Sequence, residues 1–448
     1  MFRSVERGYG AFGAMSSGWQ RRSRGTLPDA GGPPLLFLAQ VVVGLPALLW
    51  FYKCLMLVLF QRRIIYLPSV PPGTRDESLR KGERTTERDS SFAGMRWTEV
   101  PLTSSEPSAW LRRPVKLRGI ELSWRRAGEG ADPAARLEPL PGDVVILYLQ
   151  GNAGTPLLRA PLFRALLREP PSPRSSSGSP PEPRVSLFAV APRSFWLSTR
   201  ATPTERGILA DYRAALAHAY TRHGPGSRYV LYGHSLGGAA AVLLLEQLRH
   251  GPFASGGEDR TGTSAPESRQ TSASHISTTA TSDYDVESSA SASSPLVPSA
   301  SSPALTVPRL SGIILENPLP SIPYMVRALY PQRWLPYHYL GPFAFDKWDA
   351  VGRLARDRTG GEARGLRSLW IRSGRDEIIP HGAEDGVREM YAAWVRAREA
   401  GGAASGRDEE EPTSRWVDVP GALHDTAYME RRWRDEIRAF LRQVAQEK

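Results

Sequence analysis

The chain of 448 residues, 41% of them hydrophobic, is longer than one compact core usually needs, so we expect one large domain with appended segments, or two domains. Its single cysteine, Cys54, excludes an internal disulfide and a cysteine-based zinc site. The net charge of +11 comes mostly from arginines scattered along the chain, without a tight basic run or a nucleic-acid motif, so a nucleic-acid partner is disfavoured.

The first predicted element is an apolar segment at 35–60, interrupted only by Gln40 and Lys53. A helix needs roughly 20 apolar residues to cross a bilayer core, and this run is long enough. The alternatives are a buried soluble helix and a cleaved signal peptide, but the run is long for a signal peptide and no clear small-residue cleavage site follows it. We predict a single-pass transmembrane signal anchor, preceded by a basic, flexible N-terminus at 1–34. Arginines flank both ends, so the orientation stays open.

From residue 96 to residue 448 the pattern predicts a globular domain in which strands alternate with helices. Early strands are predicted at 95–102 and 119–128, and buried strands at 144–149, 184–191, 228–233, 310–316, 367–374 and 415–421. Helices are predicted at 155–168, 205–220, 237–250 and from 427 to the C-terminus. This alternation indicates an α/β fold with a mainly parallel central sheet.

Three segments interrupt this order. They cover 170–184, 252–308 and 401–414, and they are rich in proline, serine, threonine, alanine or glycine. Such sequence buries too little apolar surface to offset the entropy lost on ordering. We predict that all three are disordered surface insertions.

The chemical signal begins at Gly-His-Ser-Leu-Gly, residues 233–237, which lies between a buried strand and a helix. This context is the one that a nucleophile elbow requires, with Ser235 as the nucleophile. Gly233 and Gly237 are the positions where side chains would collide. An ordinary serine between glycines is the alternative. His234 lies too close on the same turn to act as the base, and we interpret it as a packing residue.

An activated serine needs a base and an acid that orients the base. In this fold the chain order is serine, acid, histidine. Asp376 follows a late strand, with Glu377 beside it, and His424 precedes the last helix. His381 is the rival histidine, but it follows the acid too closely. The alternative interpretation is an ordinary loop carboxylate and a surface histidine.

The third requirement is an oxyanion hole made of backbone N–H groups. Leu236 should supply one, because it directly follows the nucleophile. Asn152, in the turn Gln-Gly-Asn-Ala-Gly after an early strand, is the predicted second donor. A plain strand-to-helix turn is the alternative. This chemistry requires no metal and no cofactor.

Several segments together resemble the Bem-type (bud emergence) membrane-anchored α/β hydrolases, which carry a serine-aminopeptidase-like hydrolase domain. The resemblance covers LFQRRIIYLPSVPPGTR (59–75), LYLQGNAG (147–154), PTERGILADYRAAL (203–216), GHSLGGA (233–239), ILENPLPSIPYMV (314–326), KWDA (347–350), SGRDEIIP (373–380) and GALHDTAY (421–428). It implies an α/β-hydrolase fold with helices on both faces of the sheet and a small cap. It also implies the triad roles of Ser235, Asp376 and His424, and a location in the endoplasmic reticulum or another endomembrane.

Two departures from the family pattern affect the pocket. Gln150 replaces the family's histidine before Gly-Asn-Ala-Gly, and APRSFWLSTR (191–200) replaces a glycine-containing segment. The second change places Phe195 and Trp196 near the pocket. Residues 323–349 are a candidate cap whose aromatic side chains either bind an apolar substrate or pack the cap itself: Tyr324, Trp334, Tyr337 and Trp348.

We therefore predict a membrane-anchored serine hydrolase that cleaves an ester or thioester of an acyl or lipid-like substrate. A serine peptidase and a non-catalytic membrane scaffold for polarity or trafficking are the alternatives. The sequence identifies no protein partner.

Overall fold

In the computed structural model the described residues are 35–75, 95–107, 113–124, 143–167, 183–250, 308, 310–357, 366–380, 385–402 and 413–446. The predicted N-terminus at 1–34 lies outside them, as do 170–182, 252–307 and 403–412 of the three predicted insertions. Ordered structure reaches into the third predicted insertion from both sides, because residues 401–402 close a helix and residue 414 opens a strand.

The chain divides into two compact units, residues 1–55 and residues 56–448. Helix α1, Leu35–Leu59, contains the boundary between them. Its segment Phe37–Leu59 has a mean hydropathy of 2.0 and is, by length and composition, long and apolar enough to cross a membrane. The helix ends one residue before the predicted limit of 60. Pro46 lies inside it, and membrane helices tolerate such a position.

An eight-stranded sheet forms the frame of the second unit, in the order β1-β2-β4-β3-β5-β6-β7-β8. The strands are β1 Met95–Thr103, β2 Lys116–Trp124, β3 Val144–Leu149, β4 Val185–Ala191, β5 Arg228–His234, β6 Leu310–Glu316, β7 Arg367–Ser373 and β8 Ser414–Val419. β1 pairs antiparallel with β2, and β2 antiparallel with β4, while all the later pairs are parallel. This order and these directions are those of the α/β-hydrolase fold.

Helices cover both faces of this sheet. They are α2 Gln61–Ile65, α3 Ala160–Leu167, α4 Glu205–His223, α5 Leu236–His250, α6 Ile322–Leu329, α7 Ala350–Arg356, α8 Gly386–Gly402 and α9 Arg431–Gln446. α3 packs with α9, whereas α4, α5, α7 and α8 pack in succession. Side chains cap several helices at their first turn: the oxygens of Thr204, Ser321 and Asp349 accept hydrogen bonds from backbone N–H groups of α4, α6 and α7.

The central strands are buried on both faces. All six residues of β3 are buried, and so are six of the seven residues of β5. Strands covered by helices on both sides must be apolar throughout, which explains the continuous apolar runs in the sequence. The packing holds the carboxyl ends of the parallel strands at one edge of the sheet, where ligands bind in open α/β folds.

The second unit starts well before the predicted domain boundary at residue 96. Tyr66 is buried, and its hydroxyl accepts a hydrogen bond from Trp348 Nε1 at 2.9 Å. The N–H of Leu67 donates to the carbonyl of Asn152 at 2.8 Å. Residues 61–75, which the sequence analysis placed between the anchor and the domain, and residues 56–60, which it placed in the anchor, therefore belong to the second unit. Residues 66–75 have no helical or strand period that would have indicated this.

Candidate active site

Ser235 lies on a strained turn between β5 and α5. Its backbone has a φ of 55°, in a region that L-residues other than glycine rarely occupy. Two backbone bonds hold this conformation: Ser235 N donates to the carbonyl of Glu316 at 3.0 Å, and Ser235 O accepts from Leu319 N at 2.9 Å. Strain of this kind persists only where the surroundings over-determine it, and it concentrates at functional sites. The turn has the form expected of a nucleophile elbow.

The two flanking glycines allow the elbow to pack. A Cβ at Gly237 would overlap the carbonyl oxygen of Leu149, and a Cβ at Gly233 would overlap the carbonyl oxygen of Gly237. Both obstacles are backbone atoms, one in strand β3 and one in the first turn of helix α5, which cannot move aside cheaply. The predicted need for small residues at both positions agrees with this packing.

Asp376 and His424 meet although 48 positions separate them in the chain. His424 Nδ1 lies 2.8 Å from Asp376 Oδ2, and both side chains are almost fully buried. Because a carboxylate only accepts hydrogen bonds, Nδ1 carries the proton and Nε2 is left as the basic nitrogen. The loop is also held by Glu377, whose Oε2 accepts from the backbone N–H of His424 at 3.0 Å.

The carboxyl group of Asp376 is kept ionised by its partners. Burial by itself would raise its pKa, but the hydrogen bond and charge of His424 outweigh that effect. The N–H groups of Ile378 and Ile379 add to it, each donating to Asp376 Oδ1 at 2.8 Å. The net result is a pKa below the ordinary value of an aspartate. An ionised Asp376 can orient His424 and stabilise its protonated form.

The backbone carbonyl of His424 is held by two side chains that the sequence analysis did not assign to the site. Asn317 Nδ2 donates to it at 2.9 Å, and His234 Nε2 lies 3.1 Å from it. Burial, reinforced by the charge of Arg159 and by His424, lowers the pKa of His234 to about 3. His234 is therefore neutral and donates from Nε2. It is a hydrogen-bonding support of the histidine loop as well as the packing residue that the sequence predicted.

Asn317 ties three elements together at the edge of the sheet. It directly follows β6, has a φ of 43°, and donates its backbone N–H to Ile371 O of β7 at 2.9 Å. Its Nδ2 also donates to Ser373 Oγ at 2.9 Å, and its Oδ1 accepts from Ser373 N at 2.8 Å. A polar residue just after a buried parallel strand was the sequence signal that could have drawn attention to it.

The turn after β3 lies against the elbow. A Cβ at Gly151 would stand 3.6 Å from the Cβ of Ser235. Leu236 is the first residue of α5, so its N–H has no acceptor within the helix. The carbonyl of Asn152 accepts from Leu67, which restrains the turn from outside. The two predicted oxyanion donors, Asn152 and Leu236, thus lie on backbone segments that meet beside Ser235.

The described residues do not include a hydrogen-bond partner for Ser235 Oγ. Ser235 is 8% exposed, and its neighbour His234 has its ring centroid 4.9 Å from that of His424. The elbow and the histidine loop are therefore adjacent. Catalytic hydrogen bonds are often long or misaligned without substrate and tighten when it binds.

A small cavity of about 10 Å³ lies beside Leu236. Its walls include Phe195, Tyr212 and Trp348, so only one of the two aromatic residues predicted near the pocket, Phe195, lines it. Gln150 also faces this cavity; its N–H donates to Tyr212 Oη at 3.1 Å. Its buried side-chain amide has no partner among the described residues. The space is about that of one water molecule, and the amide supplies the polar lining that a water would need.

The candidate cap divides between packing and exposure. Trp348 is buried, and so is Tyr324, whose hydroxyl accepts from Gly386 N at 2.9 Å. Tyr337 is half-buried against Tyr330, with 5.2 Å between ring centroids. Trp334 is exposed. Of the four predicted cap aromatics, only Trp348 reaches the cavity beside the elbow.

One group of side chains next to the site has metal-ligand character. His234, His424 and Asp425 each place a ligand atom within 4.8 Å of the others. These groups already have protein partners: His234 Nε2 contacts the carbonyl of His424, and Asp425 pairs with Arg159 at 2.9 Å. The arrangement fits a hydrogen-bonded support for the histidine loop better than a vacant ligand set.

No protein-family profile and no curated protein matches the chain. Among solved structures, an esterase of Pyrococcus furiosus is 13% identical, with a TM-score of 0.42, and the match covers 81% of this chain and 96% of that one. A bacterial heroin esterase is 15% identical, with a TM-score of 0.44 and coverages of 80% and 86%. An α/β hydrolase of Vibrio vulnificus is 12% identical, with a TM-score of 0.43 and coverages of 82% and 89%.

Proposed function

We propose that this chain is a membrane-anchored serine hydrolase that cleaves a carboxylic ester or thioester. The observation that carries the proposal is the buried pair of Asp376 and His424, joined at 2.8 Å beside a serine with a φ of 55°. A surface histidine and an ordinary loop carboxylate would not require this pairing. We also propose that the chain belongs to the Bem-type group that its sequence resembles.

In the proposed mechanism, Ser235 Oγ attacks the carbonyl carbon of the substrate while His424 Nε2 accepts the hydroxyl proton. Asp376 holds His424 through Nδ1–H and stabilises its protonated form. The N–H groups of Leu236 and Asn152 stabilise the oxyanion of the tetrahedral intermediate. Collapse of this intermediate breaks the bond to the leaving alcohol or thiol, which takes the proton from His424.

The acyl group then remains on Ser235 as an ester. A water molecule gives a proton to His424 Nε2 and attacks the acyl carbon, and the second tetrahedral intermediate releases the acid and restores the serine. None of these steps calls for a metal or cofactor. Helix α1 would keep the enzyme at a membrane, which suits a lipid ester or an acylated protein as substrate.

The test is labelling of the full chain with a fluorophosphonate, which reacts with activated serines. Wild type should be labelled and Ser235→Ala should not. Ser227→Ala is the matched control, because Ser227 is also buried but precedes β5 instead of following it. Its labelling should equal that of wild type.

A screen of acyl esters and thioesters would follow positive labelling. Equal labelling of wild type and Ser235→Ala would place the nucleophile elsewhere and overturn the assignment. Failure to label a folded wild-type chain would favour the non-catalytic scaffold.

A further inference from the structure

Five large apolar side chains lie exposed in the segment that runs from the last residue of α6 to the residues before α7. We call them the aromatic patch: Leu329, Trp334, Tyr339, Phe343 and Phe345, each between 58% and 71% exposed. Isolated apolar residues on a surface are ordinary, but several within one short segment mark an interaction site.

One buried side chain holds this patch next to the end of the apolar helix. Gln61 Nε2 donates to the carbonyl of Val58 at 2.8 Å and to the carbonyl of Phe343 at 3.2 Å. Gln61 Oε1 accepts from the N–H of Phe345 at 2.6 Å. Both carbonyls therefore lie within 3.2 Å of a single nitrogen atom. The last turn of α1 and the aromatic patch are joined through Gln61.

An ion pair reinforces the same junction. Arg62 Nε lies 3.0 Å from Oδ2 of the largely buried Asp346. The other carboxylate oxygen of Asp346 accepts from Glu205 N at 3.0 Å, at the start of α4. The guanidinium of Arg62 also lies 5.6 Å from the ring centroid of Phe345. These contacts fix the patch to the domain as well as to the end of the helix.

We propose that the aromatic patch inserts into the interfacial region of the lipid bilayer. Chain continuity favours the bilayer as the partner, because the segment long and apolar enough to cross a membrane ends at Leu59 and Gln61 binds the patch two residues later. Tryptophan, tyrosine and phenylalanine favour this boundary between acyl chains and headgroups. Arg62 and Arg63, which follow the span, suit the headgroup layer beside it.

The segment that carries the patch leads to a residue beside the proposed catalytic centre. Trp348, three positions after Phe345, lines the cavity beside Leu236, and its backbone N–H donates to Glu205 Oε2 at 2.7 Å. Contact of the patch with the bilayer would thus bring the cap, and the site beneath it, to the membrane surface. This part rests on the proposed function, and it implies a substrate that resides in the bilayer.

Fluorescence tests the contact without reference to catalysis. In a full-length Cys54→Ser chain reconstituted in phosphatidylcholine vesicles, the dye NBD is attached to the new thiol of Trp334→Cys or of Phe343→Cys. Arg432→Cys, exposed on α9, is the matched control site. Lipids carrying a nitroxide near the headgroup should quench the dye at 334 and 343 several times more than at 432. Equal quenching at all three sites would overturn the proposal. Weak quenching at positions 334 and 343, together with NBD fluorescence that changes when the protein is diluted, would overturn the proposal. It would indicate that a second copy of the chain covers the patch.

Activity provides the second test. Combined Trp334→Ser, Phe343→Ser and Phe345→Ser should lower hydrolysis of a bilayer-resident ester about tenfold and leave hydrolysis of a water-soluble short ester unchanged. Met429→Ser, an equally exposed apolar residue outside the patch, should alter neither rate. Equal losses on both esters would indicate a structural role and overturn the proposal. If wild type is not labelled by the fluorophosphonate but the nitroxide lipids still quench the dye at positions 334 and 343, the proposed function is refuted and the membrane contact is not.

Discussion

Replacing Asn317 by aspartate removes the donor that holds the carbonyl of His424 while keeping the size of the side chain. In the wild type, Nδ2 donates to His424 O and to Ser373 Oγ, each at 2.9 Å, and Oδ1 accepts from Ser373 N at 2.8 Å. A carboxylate can only accept, so the variant loses the bond to His424 O, whereas the Ser373 hydroxyl can rotate and donate to the new carboxylate. Because the carboxylate now faces the carbonyl oxygen of His424, Asn317→Asp should lower the free energy of unfolding by about 1–3 kcal/mol.

The functional effect should exceed what lower stability explains. After the substitution, His234 Nε2, at 3.1 Å, is the one donor to the carbonyl of His424 that remains among the described residues. A displacement of about 1 Å in a catalytic group costs on the order of a hundredfold in rate. We therefore expect Asn317→Asp to slow fluorophosphonate labelling of Ser235 by about tenfold to a hundredfold at urea concentrations where the variant is folded. With an ester substrate, kcat should fall and KM should change little.

The assay compares labelling rates and urea unfolding for the same purified chains. Ser373→Ala is the matched control, since it removes an acceptor of Asn317 but leaves the bond to the carbonyl of His424. It should lose about 1 kcal/mol of stability and keep the wild-type labelling rate. If folded Asn317→Asp is labelled as fast as wild type, Asn317 does not position the catalytic histidine.

Three further predictions concern stability. At a φ of 55° a Cβ costs about 1–2 kcal/mol, so Ser235→Gly should be more stable than Ser235→Ala by about 1 kcal/mol after the entropy cost of glycine, and equal melting temperatures would contradict strain in the elbow. Because burial lowers the pKa of His234 to about 3, below about pH 6.5 the unfolded chain binds a proton that the folded chain does not. Stability should then fall by about 1 kcal/mol per pH unit as the pH drops from 6.5 toward 3; His234→Gln, which still donates but does not titrate, should lose less between pH 7 and pH 5, and identical losses in urea unfolding would refute this. Tyr66→Phe leaves the buried Trp348 N–H without its acceptor, so it should cost about 2 kcal/mol, whereas an unchanged unfolding midpoint would show that residues 56–75 do not stabilise the domain.

Local patterns were sufficient to predict the frame of the domain. The apolar runs at 144–149 and 310–316 coincide with β3 and β6, because strands covered on both faces must be continuously apolar. The Gly-x-Ser-x-Gly turn located the elbow, since only glycine fits against the backbone on either side of Ser235. The chain order of serine, acid and histidine then identified Asp376 and His424, whose hydrogen bond the structure contains.

The supports of that pair were beyond the reach of local patterns. Asn317 and His234 contact the carbonyl of His424 across 107 and 190 positions of the chain. A hydrogen bond between a side chain and a distant backbone carbonyl produces no repeating pattern in the sequence. The same holds for residues 56–75, whose role depends on single hydrogen bonds to the turn after β3 and to the cap. The sequence by itself determined the strands of the sheet, the tight turn at Ser235 and the choice of Asp376 and His424 as candidate partners, because burial and backbone sterics act on neighbouring positions. Only the tertiary structure decided which side chains hold the histidine loop and how Gln61 joins Val58 to residues 343–345, because those contacts exist only once distant parts of the chain fold together.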